Sequence, residues 1–167
     1  MPTPTPAKPE SPSQTASSPQ GSTGRRIAIV SRLDDAAGAA ARAFIEQLGL
    51  EPVLVPGALA HDLAGSIDML EEVRGADYVI VLRPADDLGS TPGGPGLRSD
   101  VLLELGFLFG AVGRRRVCFI LAGKPSPGAE LDAVTARHAM DDAGLWRLLL
   151  AREMRQAGLD VDMNRAL

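Results

Sequence analysis

Glu104 is the residue whose surroundings point most directly to chemistry. It sits in RSDVLLELGFLFG, Arg98 to Gly110, and from Val101 to Gly113 it is the one ionisable side chain among apolar residues and glycines. The run reads as a helix from about Asp100 to Val112. On such a helix the neighbours of Glu104 on its own face are Asp100, Val101, Phe107 and Leu108. A solvated stripe would stay polar at Phe107, Leu108 and Ala111, and this one does not. The carboxylate is therefore expected to be enclosed by apolar groups, near the positive end of the helix dipole. Enclosing it without compensation costs several kcal/mol. Two readings account for it. One is a structural ion pair with an arginine such as Arg98 or Arg32. The other is a carboxylate held ready to act on a bound ligand.

The elements around Glu104 decide where it lies. RIAIV (26–30), PVLV (52–55), YVIVL (78–82), VCFILA (117–122) and ARHAM (136–140) read as strands. Helical patterns lie between and after them. The first runs over 34–49, with Asp34 or Asp35 at its start and Gly49 past its end. The second covers 65–75, with Ser66 as N-cap and Gly75 as stop. The Glu104 helix follows a glycine- and proline-rich loop over 83–96, and a last amphipathic helix covers 144–158. Trp146, Leu149, Leu150 and Met154 share a face of that last helix, with Arg147, Arg152 and Arg155 wet. Alternating strands and helices imply an α/β domain with a parallel sheet covered on both faces. Five strands with right-handed crossovers give a flavodoxin-like doubly wound sheet, order 2-1-3-4-5. Ligands of such folds sit at the carboxyl ends of the strands. That edge is built from the loops after Val30, Val55, Leu82 and Ala122, and it includes Glu104.

Composition narrows the function classes. With 167 residues and a net charge of -4, the chain has one domain and lacks the basic face of a general nucleic-acid binder. Its one basic run, Arg114 to Arg116, reads as a solvated loop between helix and strand. A single cysteine, Cys118, and two separated histidines, His61 and His138, offer neither an intrachain disulfide nor a metal cluster. No apolar run approaches the roughly 20 residues of a bilayer span, and the N-terminus lacks a secretory pattern. A cytoplasmic protein with no membrane partner is expected. Residues 1–24, rich in Pro, Ser, Thr and Gly, read as a disordered tail, either a tether or a dispensable extension, ahead of the domain at 25–167.

The segment RSDVLLELGFLFGAVGRRRVCFIL resembles the bacterial TIR-like domain family of nucleotide-binding proteins, which includes the NADase TIR domain of antiphage TIR–STING effectors. That family reads Arg-Gln-Asn-Val, then apolar residues, Glu-Leu-Gly or Glu-Phe-Gly, then Gly-Arg and a Val-rich strand. The resemblance extends to LGLEPVLV (48–55), YVIVLRPADDLG (78–89) and the stretch 140–167. It implies a TIR-like fold that cleaves NAD+, with NAD+ as substrate and no cofactor or metal. The family's catalytic glutamate falls on Glu104, and its Arg and Asn fall on Arg98 and Asp100. Breaking the nicotinamide–ribose bond passes through an oxocarbenium-like state, which a carboxylate beside the ribose stabilises. On this reading Ser31, Arg32 and Asp34 meet the pyrophosphate at the start of the first helix. Arg83, Arg98 and Asp100 complete the substrate-binding set. The chain departs from the family at Ser31-Arg32, where His-Gly is common, at HDLAGS (61–66), which lacks the family's Arg, and at Asp100. The resemblance further implies activation by assembly, as a homo-oligomer or filament, with the trigger coming from a separate sensor protein, from the tail or from self-association.

Two other functions are open to the same residues. A nucleoside deoxyribosyltransferase-like enzyme would also place a glutamate at an anomeric carbon. A TIR-type adaptor would assemble or bind a nucleotide without cleaving it.

Overall fold

The computed structural model describes residues 1, 25–31, 34–56, 67–68, 71–88, 99–123 and 134–167. Five strands, β1 (Arg26–Ser31), β2 (Glu51–Pro56), β3 (Tyr78–Pro84), β4 (Val117–Ala122) and β5 (Ala136–Met140), form one sheet. Among the described residues three helices are complete: α1 (Asp35–Gln47), α2 (Ser99–Val112) and α3 (Leu145–Gln156). The sheet order is β2-β1-β3-β4-β5 and every pairing is parallel. This is the doubly wound α/β architecture expected from the sequence.

Alternation along each strand sorts the core into two layers. Ile27 and Ile29 of β1, Tyr78, Ile80 and Leu82 of β3, and Cys118 and Ile120 of β4 face α1 and α3. There they meet Phe44, Ile45, Trp146, Leu150 and Met154. Ala28 and Val30, Val79 and Val81, and Val117, Phe119 and Leu121 face the other way and meet Val101, Leu105 and Leu108 of α2. Phe44 and Trp146 pack edge to face at 5.5 Å, joining α1 to α3. Tyr78, Phe44 and Trp146 thus pack on one side of the sheet, and Phe119, with Phe107 and Phe109 at the margin, on the other.

Local chemistry fixes the helix ends. Asp34 caps α1 by accepting a hydrogen bond from the Ala37 amide at 3.0 Å. Gly49, at φ +78°, follows the end of α1 in a conformation that favours glycine. Of the helix expected over 65–75, residues 67–68 and 71–72 are helical and 73–75 form a turn ending at Gly75; the rest lies outside the described residues. Trp146, Leu150 and Met154 are buried along α3 as expected, while Leu149 is half-buried. Arg114–Arg116 form an exposed 3-10 turn.

One expectation needs correction. The third strand was expected to stop at Leu82, with Arg83 opening the loop. It continues through Arg83 and Pro84, which pair in register with Leu121 and Ala122. Proline is tolerated there because it closes the strand. Among the described residues no helix is long and apolar enough to cross a membrane.

Candidate functional site

The extra length of β3 builds the site. Strand parity puts Arg83 on the same face as Val79 and Val81, looking toward α2. Glu104, in the second turn of α2, looks back at it. Nη2 of Arg83 lies 2.8 Å from Oε2 of Glu104, and the two side chains are 0% and 1% exposed. Burial of Glu104 follows from its neighbours: Val101 and Leu108 are fully buried and Leu105 nearly so. The enclosure read from the sequence is therefore present, and so is an ion pair. Its partner is Arg83, where Arg98 or Arg32 had been expected. The signal for Arg83 was available as the two-residue period of β3, because position 83 shares the parity of 79 and 81.

The pair lies at the carboxyl edge of the sheet, next to where the strand order reverses. β1 and β3 are neighbours there, and Ser31, the last residue of β1, pairs in register with Leu82. The chain leaves β1 for α1 on one face, while α2 packs on the other. A crevice at this reversal is the usual ligand position in open α/β sheets.

The remaining expected site residues do not all converge on Glu104. Ser31 belongs to the α1 side of the sheet, where a Cβ added at Gly38 would lie 3.7 Å from its Oγ. It shares the edge with Glu104 and faces the opposite way. The Asp34 carboxylate is engaged in capping α1. The first amides of α1 thus already face an anion, which weighs against a second anion such as pyrophosphate at that terminus. Asp100 lies in the first turn of α2, its side chain outside the described residues. Arg32 and Arg98 also lie outside them.

A second buried polar group occupies the other face of the sheet. The Tyr78 hydroxyl and the Cys118 thiol are both buried there, the thiol donating to the Phe119 carbonyl at 3.7 Å, and burial pushes the ionisation of both well above the ordinary range. Nε2 of His138 lies 3.7 Å from Oε1 of Glu153. Desolvation lowers the His138 pKa, with Glu153 opposing that shift. Of these groups Tyr78 and Glu153 border a hollow of about 430 Å³, lined also by Arg114, Arg115, Thr135 and Gln156 among others. It opens at the amino ends of β3, β4 and β5, away from the expected ligand edge.

Comparison with known proteins bears on the edge that holds Glu104. Residues 26–140, from β1 through β5, match the family model described as "CAP12/Pycsar effector protein, TIR domain". A curated relative, the "Uncharacterized protein YuaY" of Escherichia coli (strain K12), is 31% identical over 151 residues, covering 86% of this chain and 49% of that protein. The chain therefore spans about half the length of that relative. Both Arg83 and Glu104 fall inside the region matched by the family model.

Proposed function

Because this chain belongs to the CAP12/Pycsar effector TIR-domain family, we propose that it is an NAD+ glycohydrolase whose reacting carboxylate is Glu104. The observation that carries this reading is a carboxylate buried to 1% exposure at the carboxyl edge of a doubly wound sheet, within the family-matched region.

The chemistry assigns Glu104 one task. The bond between C1′ of the ribose and the nicotinamide nitrogen breaks, and the nitrogen keeps the bonding pair, so nicotinamide leaves neutral. The ribose ring is left as an oxocarbenium-like cation. A carboxylate beside it stabilises the growing positive charge, strongly so where water is excluded. Water then adds to C1′ and loses a proton, giving ADP-ribose; attack by a group of the same molecule gives a cyclic form instead.

Arg83 determines when this happens. With its guanidinium 2.8 Å from the carboxylate, the cation beside Glu104 is the protein's own. A ribose reaches Glu104 only after the pair opens. NAD+ supplies a replacement partner for Arg83, since its pyrophosphate takes a guanidinium as readily as a carboxylate does. Arg83 thus exchanges a carboxylate for a phosphate as the substrate enters. Assembly of several copies favours the open arrangement, and the single chain is a weak enzyme. In this role the protein acts as an effector in antiphage defence, triggered through a separate sensor.

The test is incubation of the full chain, at high concentration and under crowding, with NAD+ and, separately, with a 2′-deoxynucleoside plus a free base. Nicotinamide release supports the reading. Base exchange assigns the deoxyribosyltransferase chemistry instead. Silence with both substrates, under conditions where the chain assembles, identifies an adaptor.

A further inference from the structure

The hollow at the amino ends of β3, β4 and β5 lies at the edge of the sheet opposite Glu104. Its volume of about 430 Å³ falls in the range of roughly 300–1,000 Å³ usual for small-molecule sites. Local sequence dictates what stands around it. Gly113, at φ +92°, turns the chain out of α2, and the Arg116 amide donates to the Gly113 carbonyl at 3.0 Å. That tight turn sets Arg114 and Arg115 at the hollow, just before β4. The last turns of α3 supply Glu153 and Gln156. Thr135, just before β5, donates its hydroxyl hydrogen to the Val117 carbonyl at 2.7 Å, which leaves its oxygen able to accept.

The charges at this hollow do not neutralise each other. Elsewhere on the surface opposite charges close up: Arg42 meets Glu46 at 2.9 Å, and Arg165 meets Asp162 at 3.8 Å. Among the described residues Arg114 and Arg115 make no ion pair and no side-chain hydrogen bond, although Glu153 lines the same hollow. The Glu153 carboxylate approaches Nε2 of His138 at 3.7 Å, which is beyond hydrogen-bonding reach. The lowered pKa of His138 also leaves that ring neutral near pH 7. The Gln156 amide is likewise without a hydrogen-bonded partner among the described residues. In a chain with a net charge of -4, two members of its one run of three arginines thus face a cavity with their donors unused.

We propose that this hollow binds a guanine nucleotide, with the phosphate on Arg114 and Arg115 and the base on Glu153. Guanidinium groups take phosphate oxygens in forked, charge-assisted hydrogen bonds. A phosphate monoester carries about -1.5 to -2 charges at pH 7, which matches two arginines better than the single charge of a carboxylate ligand does. Glu153 offers two acceptor oxygens near the carbonyl end of α3, where the helix dipole also favours hydrogen-bond donors over anions. Guanine presents adjacent donors on its pairing edge, N1–H and the N2 amino group, and one carboxylate accepts both. Adenine presents a single amino donor beside the N1 lone pair, which a carboxylate repels. The Thr135 oxygen adds an acceptor for a ribose hydroxyl.

This site is separate from the one that holds Glu104. The hollow opens at the amino edge of the sheet and Glu104 lies at the carboxyl edge, so a nucleotide in the hollow leaves the Glu104 crevice open. The site therefore stands apart from the NAD+ reading.

Isothermal titration calorimetry on the full chain tests the site, with GMP, AMP, inorganic phosphate and free arginine as probes. GMP is expected to bind about tenfold or more tightly than AMP, the scale of one charge-assisted hydrogen bond. Inorganic phosphate and free arginine are expected to bind more weakly than GMP. Arg114→Gln combined with Arg115→Gln, both on an exposed turn, should weaken GMP by about tenfold or more with an unchanged melting temperature. Glu153→Gln should lower GMP affinity and raise AMP affinity, because a carboxamide both donates and accepts and so matches the adenine edge. Loss of structure alone would not produce that gain. GMP binding that survives both sets of substitutions unchanged places the nucleotide elsewhere and overturns the proposal. Equal affinity for GMP and AMP in the wild-type protein overturns it too, as does an absence of GMP binding at millimolar concentration. Tighter binding of free arginine than of GMP overturns it in favour of an amino-acid ligand. None of these readouts involves NAD+ cleavage. Nicotinamide release without GMP binding rejects this site alone, and GMP binding without release rejects the NAD+ reading alone.

Discussion

The two faces of the sheet bury polar groups in opposite ways. Against α2, Arg83 and Glu104 are enclosed as full charges 2.8 Å apart. Against α3, Tyr78 and Cys118 are enclosed as neutral groups, their ionisation suppressed by burial. The neutral arrangement is the less expensive one, because a neutral hydroxyl or thiol gives up far less hydration than an ion on leaving water. The charged arrangement is costly: each ion forfeits its hydration, and apolar residues of similar volume often serve stability as well or better. A fold that needed only packing would treat both faces alike. On the NAD+ reading, the α2 side is where charge is kept for use.

The largest expected effect breaks the costly side. Arg83→Ala leaves the Glu104 carboxylate buried without its cation and is expected to lower stability by about 3–5 kcal/mol. A chemical denaturation midpoint measures this. Replacing both members, Arg83→Met with Glu104→Leu, is expected to recover most or all of that loss, while nicotinamide release stays absent. Stability that returns without activity separates the pair's chemical role from its structural one.

The neutral side should give smaller numbers. Tyr78→Phe removes one neutral hydroxyl and is expected to cost no more than about 0.5–1.5 kcal/mol, with NAD+ cleavage unchanged. A loss as large as that of Arg83→Ala would erase the contrast between the faces.

The smallest effect concerns pH. Desolvation holds the folded-state pKa of His138 below its ordinary 6.5, so folding favours the neutral ring. Its contribution is complete above about pH 6.5 and is lost as pH falls from there through the lowered folded value. Melting temperatures compared at pH 8 and pH 5.5 should show a modest loss at the lower pH, reduced in His138→Gln. Glu153 tempers the shift by favouring the protonated ring.

Much of the architecture was legible because it rests on periodicity. The continuous apolar runs of β3 and β4 mark central parallel strands, and the apolar neighbours of Glu104 on α2 foretold its burial. Recognising Arg83 as its partner was harder. A charged residue followed by Pro84 looks like the end of a strand, and only parity with Val79 and Val81 shows it facing α2. Arg98 and Arg32 are near Glu104 along the chain or along the ligand edge, whereas a partner across the sheet is set by register. Ser31 was placed at the correct edge, but its direction depends on whether it continues the parity of Ile27 and Ile29, which sets it on the α1 side. The ion pair also bears on stability. A buried guanidinium depends on Glu104, so Glu104→Gln is expected to lower the melting temperature.

The central claim is that the Glu104 carboxylate performs the chemistry. Its most direct test is the rate of nicotinamide release from NAD+ by assembled wild-type protein and by Glu104→Gln, each verified as folded by circular dichroism below its own melting temperature. The account predicts a wild-type rate that falls by about a thousandfold in the variant, the scale of losing a major electrostatic stabiliser of a transition state. A folded Glu104→Gln protein that releases nicotinamide at the wild-type rate would contradict it.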